Sequence, residues 1–181
     1  TWLEQTRVRA WSGPLDVAVI PINGDDSAQA EDMIRTLKVS DFDDIGAFLE
    51  RETSRYGVKQ SPAVQISLLP ELHEQPPAPP QDRSVLKTVW WSLKLRWWVY
   101  RHSGEWLPQL GRIKLFVLYH APQDGVALAH SLGLQKGLIG VVHAFADPRQ
   151  TQQNNIVIAH ELLHTLGATD KYDAEDRKSV V

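Results

Sequence analysis

The sequence predicts an α/β (α+β) fold in which a mixed sheet packs against helices. Short apolar segments bounded by glycine, proline or asparagine recur along the chain, as is typical of buried strands. Segments with a helical spacing of apolar residues separate them, which favours crossover connections within one sheet. The 181 residues are 43% hydrophobic and 23% charged. This is an ordinary globular composition, so we expect a single domain over residues 1–181.

The first predicted strand is Leu15–Ile22, which is opened by Gly13-Pro14 and closed by Asn23-Gly24. A helix is expected to follow, beginning at Ser40 or Asp41, because either side chain can accept a hydrogen bond from the first helical turn. The helix is predicted to end at Gly57, and its apolar stripe is predicted to consist of Phe42, Ile45, Phe48 and Leu49.

Residues 63–69 form the second predicted strand, and an insertion at about 71–104 follows it. Four prolines between residues 71 and 82 predict a stiff, extended surface loop. The segment Val85–Arg101 has the apolar spacing of a helix. One face of this helix is expected to pack on the sheet, and it consists of Leu86, Val89, Trp90, Leu93, Trp97 and Tyr100.

The same helix carries a second aromatic patch. A basic stripe recurs every seven residues, at Lys87, Lys94 and Arg101. Trp91, Leu95 and Trp98 lie beyond this stripe, so we expect Trp91 or Trp98 to be exposed. The simpler interpretation is a crossover helix that packs tryptophan onto the sheet. Alternatively, tryptophan beside lysine and arginine suits a membrane interface, or a partner or substrate surface.

The last predicted elements are two strands and one helix. The strands cover residues 113–119 and 137–145, and the later one is expected at the sheet edge, facing a cleft. Asn154-Asn155 are expected to cap the helix, and Gly167 is expected to end it in a left-handed conformation. The apolar flank of this helix is predicted to consist of Ile156, Ala159, Leu163 and Leu166.

Composition excludes several classes of function. The formal net charge of −3 argues against a nucleic-acid-binding surface. The chain has no cysteine, so disulfides and thiolate metal sites are excluded, and any metal must be held by histidine and carboxylate. No run of 18 apolar residues is present. The chain begins at Thr1, and either a removed export or anchor segment or an arbitrary boundary explains this start. We expect an extracytoplasmic protein, with a cytoplasmic one as the alternative.

One short motif carries the chemistry. His160, Glu161 and His164 fit the pattern H-E-x-x-H, which is typical of zinc hydrolases. Two histidines four residues apart lie on one face of a helix, so their imidazoles can converge on one ion. Glu161 can then act as general base toward a water that zinc activates. The alternative interpretation is a buried helix with two incidental histidines.

The extended motif His160-Glu161-x-x-His164-x-x-Gly167-x-x-Asp170 resembles the zinc-binding motif of metzincin peptidases, with Asp170 in place of the usual third histidine. An aspartate here is similar to snapalysin-type and immune-inhibitor-A-type bacterial metallopeptidases. The resemblance implies one Zn²⁺ held by His160, His164 and Asp170, with Glu161 as the general base. It also implies a fold like the metzincin N-terminal subdomain.

The chain departs from the metzincin pattern downstream of the motif. Metzincins have a methionine-containing turn beneath the zinc, but the only methionine here is Met33. We therefore expect the C-terminal subdomain to be short or missing. If Asp170 instead only caps a turn, Asp173 or Glu175 could supply the third oxygen. Tyr172 is a candidate for stabilising the oxyanion of the reaction, although a packing role explains it equally well.

Three further histidines lie outside this motif, namely His120, His130 and His143. His143 ends a predicted strand and is a candidate for the cleft wall, although a satisfied core or loop histidine explains it too. Nothing in the sequence pairs His120 or His130 with a metal.

The sequence thus predicts a zinc-dependent endopeptidase that acts on a peptide or protein substrate and binds no nucleic acid. A candidate membrane-surface contact is provided by the tryptophan-rich helix. The alternatives are a non-catalytic, zinc-stabilised binding module that uses this helix, and a zinc amidase acting on a non-protein substrate such as a cell-wall peptide.

Overall fold

A computed structural model describes residues 13–55, 57, 61–80, 84–102, 113–123, 128–134 and 138–168. Its strands are β1 (Leu15–Asn23), β2 (Val64–Leu68), β3 (Ile113–His120), β4 (Leu132–Leu134) and β5 (Ile139–Phe145). Its α-helices are α1 (Ala28–Thr36), α2 (Asp43–Arg55), α3 (Val85–His102) and α4 (Thr151–Leu166). Short 3₁₀ helices, Val39–Phe42 and Pro148–Gln150, precede α2 and α4. The predicted α/β class with a mixed sheet is confirmed.

The five strands form one sheet in the order β2-β1-β3-β5-β4. The first four strands in this order run parallel to one another, and β4 runs antiparallel to β5. Strands β1 and β3 are buried along almost their whole length, which is why they are continuous apolar runs in the sequence. Helices cover both faces of the sheet, so these central strands are shielded from water.

The alternation of side chains along β3 separates two cores. Leu115 and Val117 face a core that includes residues of α1, α2 and α4. Phe116 and Leu118 face the opposite core, which includes the buried side of α3. The sheet therefore lies between α3 on one side and the other three helices on the other. No helix among the described residues is long and apolar enough to cross a membrane.

The prediction that residues 137–145 form an edge strand is wrong. Strand β5 pairs with β3 on one side and with β4 on the other, so it lies inside the sheet. The edge strand beyond β5 is the three-residue β4, which is too short to give a clear alternating pattern in the sequence. Residues 15–22, 63–69 and 113–119 do lie in the sheet as predicted.

The predicted orientation of the tryptophan-rich helix is also wrong. Trp91, Leu95 and Trp98 are buried against the sheet, at 7%, 0% and 5% exposure. The six residues expected to pack on the sheet are all exposed instead: Leu86, Val89, Trp90, Leu93, Trp97 and Tyr100. Neither Trp91 nor Trp98 is exposed, which contradicts that expectation as well.

Hydrogen bonds to the proline-rich segment explain which face of α3 is buried. The indole N–H of Trp91 donates to the Pro77 carbonyl oxygen at 2.7 Å. The indole N–H of Trp98 donates to Glu74 Oε1 at 3.1 Å. A buried indole needs such an acceptor, and residues 69–80, which contain no helix or strand, supply both.

Candidate metal centre

Helix α4 starts earlier than predicted, and its two asparagines do not cap it. Asp147 Oδ1 accepts from the Arg149 backbone N–H at 3.0 Å and so begins the preceding 3₁₀ turn. Asn154 is buried inside α4, where it donates to and accepts from the Phe145 backbone at 2.9 and 3.0 Å. Asn155 is also buried and donates to the Asp41 carbonyl oxygen at 2.7 Å. The pair ties α4 to its neighbours.

The apolar side of α4 is rotated from the prediction. Ile156 is 59% exposed, whereas Ile158 and Leu162 are fully buried. Of the predicted flank, Ala159 is buried, and Leu163 and Leu166 are partly buried. This rotation presses Ile158 and Leu162 onto the sheet and leaves the motif histidines at the helix surface.

The left-handed end of α4 was predicted correctly. Gly167 has φ of 99°, a conformation that glycine adopts without steric cost. Its N–H donates to the His164 carbonyl oxygen at 3.0 Å, and the Ala168 N–H donates to the Leu163 carbonyl oxygen at 3.0 Å. The helix therefore stops one turn after His164.

The two motif histidines converge. His160 Nε2 and His164 Nε2 are 3.0 Å apart, and the rings meet nearly at right angles. Two nitrogens that bind one tetrahedral zinc at about 2.0–2.1 Å lie roughly 3.3 Å from each other. A displacement of a few tenths of an ångström would thus bring both nitrogens onto one ion.

A second hydrogen bond orients one of these imidazoles. His164 Nδ1 lies 3.0 Å from the Ala168 carbonyl oxygen. Since a carbonyl only accepts, the proton of His164 is on Nδ1, and the lone pair of Nε2 points away from the helix end. Metal-binding histidines usually make this kind of bond through their other nitrogen. The donor set therefore fits zinc.

Glu161 lies between the two histidines in sequence but is 6% exposed. Strand β4 passes directly over it. A Cβ atom built on Gly133 would lie 2.6 Å from the Glu161 carbonyl oxygen and 3.3 Å from its Oε2. The same atom would lie 2.6 Å from His164 Cβ. Only glycine permits this close approach of strand and helix.

The histidines and Glu161 line a cleft of about 590 Å³ between α4, β5 and the segment that leads into β4. His143 and His130 also line it. The described residues contain no group of three or more His, Asp or Glu side chains positioned to hold a metal ion. The third-ligand candidates Asp170, Asp173 and Glu175, and the oxyanion candidate Tyr172, lie outside the described residues. Met33 is buried in α1.

His143 belongs to a pair of histidines that the sequence did not connect. His120 Nε2 and His143 Nδ1 are 2.9 Å apart, on the neighbouring strands β3 and β5. Burial lowers the pKa of His120, although the Asp25 carboxylate opposes this shift. Burial, with a smaller contribution from His120, lowers the pKa of His143 to about 4. His143 therefore presents a neutral imidazole to the cleft at pH 7.

Three residues that shape this site were not recognisable as such from their sequence context. Gly133 has a local signal, because a glycine inside a short apolar strand often marks a close backbone approach. Asn154 looked like a helix cap, and only tertiary structure reveals its bonds to β5. His120 has no signal, since its partner His143 is 23 residues away. Comparison with protein-family models, curated proteins and solved structures found no match to this chain.

Proposed function

We propose that this protein is a zinc-dependent endopeptidase. The observation that carries the proposal is the 3.0 Å approach of His160 Nε2 and His164 Nε2 on the wall of a cleft. Two further features are not expected of a chance pair of surface histidines. The His164 ring is oriented by its hydrogen bond to the Ala168 carbonyl oxygen, and the glutamate between the two histidines in sequence is buried. The resemblance of residues 160–170 to the metzincin motif agrees with this geometry.

His160 and His164 would hold the metal through Nε2, and Asp170 is the proposed third ligand. A carboxylate is an ordinary zinc ligand, and three protein ligands leave one position for water. Zinc in such a site lowers the pKa of water to about 7 and polarises a neighbouring carbonyl.

Glu161 is the proposed proton carrier. Its carboxylate accepts a proton from the water that attacks the peptide carbonyl, and then delivers this proton to the departing amine. Glu161 lines the cleft, and its burial under β4 suits this role because exclusion of water strengthens the electrostatic interactions of a carboxylate. His143 adds a neutral hydrogen-bonding group to the same cleft.

The substrate is proposed to be an extended peptide that lies along β4. Among the described residues, β4 is the outer strand of the sheet beside the cleft, and its inner side pairs with β5. An edge strand can pair with a further strand through its outward backbone groups. The proposed peptide-binding edge is therefore β4 rather than residues 137–145.

Zinc content and peptide hydrolysis should be measured together on matched variants. Glu161→Gln should keep zinc and lose hydrolysis by roughly 10²–10⁴-fold, as expected for removal of a positioned acid–base group. His160→Ala should lose both. Glu31→Gln, at an exposed position on α1, is the control and should change neither.

Two other outcomes would replace the proposal. If the zinc-loaded parent cleaves no peptide in a broad library, the chain is a zinc-stabilised binding module instead. If it cleaves only amide bonds of cell-wall peptides, it is an amidase. Comparing zinc affinity in Asp170→Ala, Asp173→Ala and Glu175→Ala identifies the third ligand, because only the true ligand's removal should weaken binding strongly.

A further inference from the structure

Helix α3 exposes a continuous apolar face to solvent. Leu86 and Tyr100 are 82% and 79% exposed, and Trp90 and Trp97 are each 62% exposed. Val85, Val89 and Leu93 extend the same surface. The helix has 18 residues, so this face is about 27 Å long. An apolar surface of this size is unusual on a soluble domain and marks a contact site.

Basic side chains border this apolar face. Lys87, Lys94 and Arg101 form a row along one flank, since they recur at seven-residue intervals. Lys94 Nζ lies 5.9 Å from the centre of the Trp90 ring. The guanidinium carbon of Arg101 lies 5.6 Å from the centre of the Trp97 ring. The charges are thus held beside the exposed rings.

The charge of the helix is one-sided. Residues 85–102 include four lysines and arginines and no aspartate or glutamate, although the whole chain has a net charge of −3. A partner that covers this face must therefore supply negative charge along the basic row. A second copy of the helix offers no carboxylate to this row, because residues 85–102 contain none.

We propose that α3 binds the surface of an anionic lipid bilayer. The exposed tryptophans, Tyr100 and the aliphatic residues would enter the headgroup region, where amphipathic aromatic rings partition favourably. The basic row would contact acidic lipid headgroups. This is a peripheral contact that lies along the membrane plane.

The buried side of α3 makes this a rigid docking surface. Trp91 and Trp98 pack against the sheet and are hydrogen-bonded to the proline-rich segment. Helix α4, which carries the candidate metal centre, lies against the other face of the sheet. Lipid on α3 therefore leaves the cleft open to a substrate, and the proposal does not depend on the proposed function.

Co-flotation of the 181-residue chain with vesicles tests this proposal. The chain should bind vesicles of phosphatidylglycerol and phosphatidylcholine in equal parts more strongly than vesicles of phosphatidylcholine alone, and salt should weaken binding. Each basic residue near an anionic surface contributes about fivefold to partitioning. The triple variant Lys87→Gln, Lys94→Gln, Arg101→Gln should therefore bind on the order of 100-fold more weakly.

Two further variants complete the experiment. Trp90→Ser with Trp97→Ser should lose at least about tenfold in binding to the mixed vesicles, and should lose the blue shift of tryptophan fluorescence that binding produces. The charge-matched control removes three cations on the other side of the sheet, through Arg35→Gln, Lys38→Gln and Arg55→Gln. It should bind like the parent.

Several results would overturn the proposal. If the control and the basic-row variant bind the mixed vesicles equally, binding depends on the net charge of the chain and not on the basic row of α3. Absence of parent binding to the mixed vesicles would also refute it. Sedimentation equilibrium could also refute it. If the parent is a dimer and the double variant Trp90→Ser, Trp97→Ser is a monomer, the exposed face of α3 serves self-association instead. Circular dichroism should establish that every variant is folded.

Discussion

The crossing of β4 over α4 at Gly133 can be tested by adding a single methyl group. In Gly133→Ala the new Cβ would lie 2.6 Å from both the Glu161 carbonyl oxygen and His164 Cβ. Ordinary van der Waals contact begins at 3.4 Å. The strand and the helix must therefore separate by about 0.8 Å, the difference between these two distances. Both near atoms belong to the helix frame, so no side-chain rotation relieves the overlap.

Two opposing effects set the expected size of the change. Forcing an extra methyl into a packed region costs about 1–3 kcal/mol. Replacing glycine by alanine also restricts the unfolded chain, which stabilises the fold by about 0.4–1 kcal/mol. The strain should prevail, and we expect Gly133→Ala to lower the free energy of unfolding by about 1–2 kcal/mol. Displacement of His164 should weaken zinc binding by roughly 10-fold or more, as when a supporting contact of a ligand is lost.

Gly140→Ala is the matched control. Gly140 pairs with Gly133 across β4 and β5, so the two substitutions lie at neighbouring positions of the same sheet. A Cβ on Gly140 would lie 2.5 Å from Leu115 Cδ2, a buried side-chain atom of β3, so the overlap does not involve the backbone of α4. This variant should keep the zinc affinity of the parent.

Urea unfolding followed by circular dichroism measures the stability of these variants, and competition with a chromophoric chelator measures their zinc affinity. Parent-like stability and parent-like zinc binding in Gly133→Ala would refute the reasoning, because β4 could not then lie against the backbone of α4 as described. Equal loss of zinc affinity in both variants would show that the effect comes from the sheet in general.

Two further predictions concern the inverted helix and the buried histidine. Leu95→Ala should lower the free energy of unfolding by about 2–5 kcal/mol, because Leu95 is fully buried. Leu93→Ala, at a residue that is 49% exposed, should change it by less than about 1 kcal/mol. If urea unfolding shows the larger loss for Leu93→Ala, the helix face predicted from the sequence is the buried one. Burial lowers the pKa of His143 from 6.5 to about 4. As the pH falls, His143 of the unfolded chain is therefore protonated before His143 of the folded chain. The free energy of unfolding should decrease as the pH falls from about 6.5 to 4. In metal-free protein, His143→Gln should show a smaller loss of stability over this range, whereas the surface control His73→Gln should retain the full loss.

The sequence located the elements of the site well because their signals are local. Gly167 ends α4 in the left-handed conformation that its lack of a side chain permits. The spacing of His160 and His164 places both rings on one side of the helix, as four-residue separation requires. All four predicted strands coincide closely with observed ones, namely β1, β2, β3 and β5, because buried strands are continuous apolar runs.

Other expectations failed because they depended on distant partners. Asn154 has the composition of a helix cap, but β5 offers it a backbone N–H and carbonyl that only the folded chain brings near. The edge strand was predicted at residues 137–145 because β4, with three residues, is too short to show the alternation of apolar and polar residues that marks a strand. His120 and His143 meet only because β3 and β5 are neighbours in the sheet.

Helix α3 shows most clearly what each level decides. Periodicity established that Leu86, Trp90 and Trp97 share one face and that Trp91 and Trp98 share another. It did not establish which face meets the sheet, because both are apolar. That choice was made by acceptors 14 and 24 residues away, at Pro77 and Glu74, which satisfy the indole N–H groups of the buried pair. A sequence pattern sets which residues lie together, whereas the hydrogen-bond partners and packing that assign a face to the interior exist only in the tertiary structure.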